Sequence, residues 1–215
     1  MSARYVYGAS GHGKVVADIC RAMGGLPDGF IDDGAAVGSL VFELSVLGGG
    51  DWLAEQAGAA SGGAASIEVA LGIGDNAVRA RIAARLRDMG VSLLTAIHPS
   101  AVVAPSARVG AGTVVMAGAL INPDSVIGEG AIINTGVAVE HDNHIGDYAH
   151  LSANAATGGN VTIGAFAHLG LGATVLPGRR VGARSVVGAG AAVIRDLADD
   201  VVAVGVPARV IRGGS

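Results

Sequence analysis

The sequence predicts an α/β half of Rossmann type over residues 1–96, followed over residues 97–215 by a parallel β-helix built on hexapeptide repeats. Three observations predict it. Aliphatic residues stand at sixteen of the seventeen six-residue steps from Ile97 to Val193. Before residue 95, short apolar runs alternate with glycine turns and helical stretches. The 215-residue chain holds only seven aromatics (one Trp, three Tyr, three Phe), a shortage that a narrow prism of aliphatic side chains explains.

In the first half, "RYVY" reads as a short strand, and Gly8, Gly11 and Gly13 form a turn into a helix with Val15, Val16, Ile19 and Met23 on one face. "DGFIDD" is a second strand ending in Asp32 and Asp33, and "SIEVAL" is a third, followed by another glycine turn and the helix of "NAVRARIAARLRDMG". "VSLLTAIHP" is a fourth strand leading into the repeats. Strands alternating with helices imply a small parallel sheet. A helix that begins after a glycine turn faces a ligand with unpaired amides and the positive end of its dipole. These turns therefore either hold a phosphate or merely bend the chain tightly. The spacing is G-x-x-G-x-G, not the dinucleotide pattern G-x-G-x-x-G, so it points to a phosphate group and only weakly to a dinucleotide cofactor.

In the second half, six-residue steps from Ile97 meet one polar residue, Thr157, in an otherwise aliphatic series. Two residues before most of these positions stands a small residue, such as Ala101, Ala119, Ser125, Ala131 or Ala149, and glycine often follows, as at Gly110, Gly128, Gly146 and Gly164. A period of six fits neither a helix nor an alternating strand. It fits a triangular coil of 18 residues whose aliphatic side chains fill the prism. Residues 18 apart then stack on successive coils, which puts His150 beside His168 and His141 beside both Pro123 and Gly159. A narrow prism filled by Val, Ile and Leu leaves no room for rings.

Composition narrows the function. The 36 glycines and a mean hydropathy of +0.54 come without a run near the roughly 18 apolar residues that cross a bilayer. The opening "MSARYVYGAS" lacks the regions of a signal peptide, so a cytoplasmic protein without a membrane partner is expected. A net charge of −4 leaves no basic footprint for nucleic acid. The single Cys20 suits a reducing compartment as a small buried apolar residue.

The segments "YGASGHGKVVADI", "FIDD", "GIGDNAVRARI", "EHDNHIGDYAHLS" and "VGVPARVI" together resemble the bacterial nucleotide-sugar and sialic-acid acyltransferases of the hexapeptide-repeat class, across essentially the whole chain. Within that class the chain is most similar to N-acetyltransferases acting on nucleotide-linked 4-amino-4,6-dideoxy sugars. The resemblance implies a left-handed β-helix, a homotrimer, acetyl-CoA as co-substrate, a nucleotide-activated amino sugar as acceptor, no metal, and a place in surface polysaccharide synthesis. It leaves GDP and UDP as alternative carriers.

Carried over residue by residue, the resemblance puts the catalytic base on His141 and its acidic partner on Asp142, where many relatives have the longer Glu. An imidazole near its ordinary pKa of about 6.5 suits removal of a proton from an attacking amine, and a carboxylate on its other nitrogen raises its basicity. Glu140 either shares that role or lines the sugar pocket. His150 matches a position beside the thioester pocket, where it meets substrate or the carbonyl region. His168 is a ligand or a ladder residue, and His144 is a surface residue. With the base on His141, the stacked coil places the Gly159 amide beside it as the donor to the thioester oxyanion, and the glycines of "TGGN" keep that amide accessible.

The nucleotide is expected on the turn of Gly8, Ser10, Gly11, His12 and Gly13 through its phosphates, and on Asp32 and Asp33 through ribose or base. The resemblance lays CoA along the solenoid near Gly170, Gly172, Ala173, Gly188 and Ala189, with Arg195 and Arg209 on its phosphates and Pro207 and Ala208 near adenine. The same glycines are alternatively coil corners of positive φ.

The competing functions are O-acetylation of a sialic-acid-like sugar, a non-catalytic scaffold, and a γ-class carbonic anhydrase with zinc on three imidazoles. The histidine spacing of that last class is not reproduced.

Overall fold

The computed structural model describes residues 3–60 and 66–213, so residues 1–2 of the amino-terminal stretch read above and 214–215 of the second half lie outside it. The chain divides into two compact units, Met1–Ile97 and His98–Ser215.

The first unit is built on strands β1 (Ala3–Tyr7), β2 (Gly29–Ile31), β3 (Leu40–Val41), β4 (Leu44–Gly48), β5 (Ile67–Leu71) and β6 (Ser92–Leu93). Its helices are α1 (Gly11–Ala22), α2 (Gly50–Ala60) and α3 (Asn76–Asp88). The sheet order is β3-β4-β2-β1-β5-β6, parallel except for the β3–β4 hairpin. The chain moves outward from β1 through β2 to β4 and then returns to the other side of β1 for β5. The loops after β1 and β5 thus flank the point where the winding reverses, the usual ligand crevice of such sheets. Close approach there is enforced by glycine: a Cβ on Gly8, where φ is +109°, would sit 2.6 Å from the Gly72 carbonyl oxygen, and one on Gly13 would sit 1.8 Å from that of Gly8.

Three details differ from the sequence expectation. Helix α1 buries Gly13, Val16, Ala17, Ile19 and Cys20, whereas Val15 and Met23 are 42% and 39% exposed. The buried stripe is rotated because the small residues Ala17 and Cys20 let the helix settle close to the sheet. The fourth strand is broken into Ser92–Leu93 and Ala96–Ile97. Residues 40–60, which carry no clear periodic signal, supply β3, β4 and α2.

The second unit is a solenoid of two-residue parallel strands from Val102–Val103 to Ala192–Val193, closed by the antiparallel pair Val202–Val204 and Arg209–Arg212. The strands form three faces, and pairing among the two-residue strands joins residues 18 apart, as in Ala138↔Ala156↔Thr174 and Ile132↔His150↔His168. Every inward position from Val115 to Val193 is buried, Thr157 included. Val103 and Val109, in the first coil, are only half-buried.

Each turn has two corner residues with separate constraints. From Gly112 to Gly190 the second adopts a left-handed conformation with φ between 55° and 69°; it is glycine at Gly112, Gly136 and Gly172, a residue that tolerates the region at Asp124, Asp142, Asn154 and Asn160, and a larger side chain at Tyr148, Phe166 and Arg184. Its N–H donates to the previous coil, as Asp142 does to Pro123 O at 3.0 Å and Asn160 to His141 O at 2.9 Å. The N–H of the first corner residue finds no backbone acceptor in any described turn. The glycines that follow the aliphatic positions have a different cause from the expected positive φ: a Cβ on Gly146 or Gly170 would lie 2.5 or 2.6 Å from the next coil's backbone. Of the predicted positive-φ glycines, Gly172 fits and Gly170 and Gly188 do not.

Candidate active site

His141 and Asp142 are the two corner residues of one turn, so the left-handed corner places the carboxylate beside the imidazole. His141 Nδ1 donates to Asp142 Oδ2 at 2.7 Å, which leaves Nε2 as the free acceptor. Asp142 is long enough for this bond, and Glu140, which is exposed, does not make it. The hydrogen bond to Asp142 holds the imidazole pKa above its ordinary value, with smaller Coulombic support from Asp142 and Glu140. The His141 side chain is 61% exposed, open to a second reactant.

One coil further on, Gly159 lies directly against this ring. A Cβ there would come 2.6 Å from both Cε1 and Nε2 of His141. The glycine is thus needed first to seat the imidazole. Gly158 has another cause, since a Cβ on it would strike Pro177 at 2.7 Å, so the two glycines of "TGGN" do not act alike. Gly159 is a first corner residue, and among the described residues its N–H has no hydrogen-bond acceptor.

Beneath this corner is Asn143, which sequence reasoning missed. It is 1% exposed, and its Nδ2 donates to Glu140 O at 2.6 Å, His141 O at 3.2 Å and Gly158 O at 2.8 Å. The available signal was a break in the repeat, because the position two before an inward aliphatic is otherwise mostly Ala, Ser, Thr or Val.

His150 lies on a neighbouring face, its ring stacked on that of His168 with centroids 4.7 Å apart and planes 4° apart. Thr135 N–H donates to Asn134 Oδ1, which turns Asn134 Nδ2 toward His150 Nε2 at 3.2 Å and makes that nitrogen an acceptor. His168 Nε2 meets Ser152 Oγ at 2.8 Å. His144 is exposed in the ladder between Val126 and Thr162.

In the first unit, a cleft at the reversal point is lined by Tyr7, Gly8, Asp32, Asp33, Gly34, Ile73, Val78, Arg81 and Ile82. The two glycine turns differ at their helix starts. Asp75 caps α3 through Val78 N, whereas the Ser10 side chain makes no capping bond to α1, and a Cβ on Gly11 would meet nothing within 4 Å. Of the two helix starts, that of α1 is the one left without a side-chain cap, the arrangement that suits an anion. His12, in its first turn, is kept neutral by burial, which pushes its pKa down to about 4 with help from the nearby Arg79.

Asp32 accepts from the amides of Ala9 at 2.7 Å, Gly34 at 2.8 Å and Ala35 at 2.9 Å, and so ties the loop after β1 to the loop after β2. Burial works to raise its pKa, but these donors outweigh it and the net shift is downward. Asp33 is held ionised in the same way by Gly50 N and the Tyr7 hydroxyl, with Arg85 adding to the effect. Both carboxylates are thus already engaged within the chain, which their reading as ligands for ribose or base did not anticipate. Arg79, fully buried, grips the loop after β5 through Ile73 O, Gly74 O and Asn76 Oδ1. Tyr7, Arg79 and Arg81 carried no pattern that would have flagged them.

At the far end of the solenoid, the amides of Gly170, Gly172, Ala173 and Gly188 all donate within the coils. Their expected backbone contact with a ligand therefore falls to carbonyls or to the first-corner amide of Ala189, which has no acceptor among the described residues. Arg195 is exposed and without an ion pair among those residues, whereas Arg209 donates to Ala208 O at 3.0 Å. Pro207 is exposed after a cis bond, and Ala208 is buried. Among the described residues no three or more His, Cys, Asp or Glu side chains are grouped to hold a metal, and no helix is long and apolar enough to cross a membrane.

Residues 5–86 match the PglD N-terminal domain family. The crystal structure of PerB from Caulobacter crescentus in complex with CoA and GDP-perosamine is 42% identical, with a TM-score of 0.92 over 99% of this chain and 98% of that one. That GDP-perosamine N-acetyltransferase has also been solved with one histidine replaced by Asn or Ala. The acetyltransferase domain of PglB from Neisseria gonorrhoeae, in complex with acetyl coenzyme A, is 33% identical, with a TM-score of 0.87 over 97% of this chain and 98% of that one. WeeI from Acinetobacter baumannii is 28% identical, with a TM-score of 0.82 over 98% of this chain and 100% of that one. With a likeness above 40% that runs from end to end, the chain belongs to the hexapeptide-repeat nucleotide-sugar N-acetyltransferases of the sialic acid and bacillosamine acyltransferase family.

Proposed function

We propose that this protein transfers the acetyl group of acetyl-CoA to the 4-amino group of a nucleotide-linked 4-amino-4,6-dideoxy sugar, GDP-perosamine or a close analogue. The observation that carries this reading is the pairing of the Asp142-bound imidazole of His141 with the unengaged amide of Gly159 beneath it. His141 Nε2 takes a proton from the amine as its nitrogen attacks the thioester carbon. Gly159 N–H receives the charge that develops on the thioester oxygen. Collapse of that adduct breaks the carbon–sulfur bond, and the proton held on His141 can leave with the CoA thiol, which completes the exchange.

The first unit holds the nucleotide, with phosphates at the open start of α1 (Ser10, Gly11, His12) in the cleft bounded by Gly8, Asp32 and Asp33. Asp32 shapes the two loops, and Asp33 has a 54% exposed side chain that can still accept from ribose or base. The second unit performs the transfer, with CoA running past Gly172 and Ala189 toward Arg195, Pro207 and Arg209. Leu171, Val206 and Ile211, which are 62%, 77% and 66% exposed, support a neighbouring subunit or ligand covering that end, in a cytoplasmic homotrimer of about 63 kDa (three times 21.0 kDa) serving surface polysaccharide synthesis.

The test is product analysis with GDP-, UDP- and dTDP-linked 4-amino sugars and acetyl-CoA. Wild type should yield an N-acetylated sugar, and His141→Ala should lose about two to four orders of magnitude in kcat. Acetylation of a sugar hydroxyl, or an undiminished His141→Ala, contradicts the reading.

A further inference from the structure

Asn143 occupies a repeat position that asks for a small side chain. Ser125 and Ser185 show how a polar residue serves there: each hydroxyl donates to a carbonyl on the next corner, Glu140 O at 2.8 Å and Ala198 O at 2.7 Å. Asn143 reaches the corresponding carbonyl, Gly158 O, at 2.8 Å, and also those of Glu140 and His141. Three carbonyls around one atom identify it as the amide nitrogen. Its Oδ1 is buried and has no hydrogen-bond partner among the described residues. An orphaned buried oxygen is a burden that valine, present at Val137 and Val161 in the same repeat position, avoids.

Gly158 O belongs to the peptide unit whose N–H is that of Gly159. Among the described residues its only hydrogen-bond donor is Asn143. A peptide is planar, so fixing its carbonyl fixes the direction of its N–H. A hydrogen bond to the carbonyl also polarises the amide and makes the N–H a stronger donor. The same Asn143 nitrogen holds the carbonyls of Glu140 and His141, the corner that carries the base.

We infer that Asn143 is a positioning residue that aims and polarises the Gly159 amide as the oxyanion donor and locks it to the His141 corner one coil away. The inference rests on the proposed acetyl transfer. A perturbation here weakens stabilisation of the transition state without touching either substrate.

The experiment compares Asn143→Val and Asn143→Ser with wild type and His141→Ala. Valine fits the repeat, so folding is preserved, and serine can restore the bond as Ser125 does. Asn143→Val should lower kcat about 10- to 100-fold, a fraction of the loss on removing an oxyanion donor. KM for acetyl-CoA should not change, nor should the pH midpoint set by the His141–Asp142 pair. Asn143→Ser should recover most of the rate. An unchanged kcat in Asn143→Val, or a serine variant as slow as valine, overturns the inference, whereas an undiminished His141→Ala overturns the underlying function instead. A readout independent of turnover uses protein labelled with 15N-glycine: the Gly159 nitrogen resonance should move upfield in Asn143→Val and return in Asn143→Ser. A resonance that stays in place in the valine variant also overturns it.

Discussion

Replacing Gly159 by alanine tests the seating of the base without altering any functional group. The new Cβ would stand 2.6 Å from Cε1 and Nε2 of His141, where ordinary contact begins near 3.4 Å, so the ring must retreat by about 0.8 Å (3.4 minus 2.6). The backbone imposes no further strain, because Gly159 is not in the left-handed region. A misplacement of about 1 Å costs on the order of 100-fold in rate, or about 2.7 kcal/mol of barrier. The imidazole is mostly exposed and can swing outward, so thermal stability should scarcely change. The assay is steady-state thiol release from acetyl-CoA alongside calorimetric Tm. A Gly159→Ala enzyme within threefold of wild-type kcat would refute the claim that this glycine seats the base. Gly158→Ala is the contrasting variant: its Cβ meets the Pro177 nitrogen at 2.7 Å, so it should lower Tm.

Three other outcomes follow from the same geometry. The rate should fall as pH drops through the raised His141 pKa, because only the neutral ring accepts a proton, and Asp142→Asn should move that midpoint down by removing its principal cause; the rate profile of the two proteins against pH checks this. His12 has the opposite sign: its folded pKa of about 4 lies below the unfolded 6.5, so its contribution, about 3 kcal/mol, is present above 6.5 and lost as pH falls toward 4. Denaturant titrations should therefore show a weaker loss over that window in His12→Gln. Gly11→Val, at the open start of α1, should raise KM for the sugar nucleotide about tenfold and spare that for acetyl-CoA, as measured by varying each substrate in turn.

The solenoid was legible because its constraint is local and repeated. Each inward aliphatic reports its own burial, and the 18-residue stacking of His141 on Gly159 and His150 on His168 follows from counting. The helix face of α1 was partly misread because Val15 and Met23 have the right spacing and chemistry, while the burial of Ala17 and Cys20 depends on how closely helix and sheet approach. Asn143 went unnoticed because its significance lies in three carbonyls brought together from two coils, which no spacing rule states. Arg79 is similar: an arginine on an ordinary amphipathic pattern turns inward to grip a loop. The sequence did place Asp32 and Asp33 at the end of β2, but the groups that occupy them come from elsewhere in the fold: the Tyr7 hydroxyl at the end of β1, amides of the loops after β1 and β2, and the first amide of α2.

The measurement that bears most directly on the proposed chemistry is a crystal structure of the protein with CoA and a nucleotide-linked 4-amino sugar bound together. The account predicts the sugar amine within about 2.6–3.2 Å of His141 Nε2. It also predicts the Gly159 N–H directed at the position of the thioester oxygen. A sugar amine placed against another group, or a Gly159 amide turned into the coil and away from the sulfur, would contradict it.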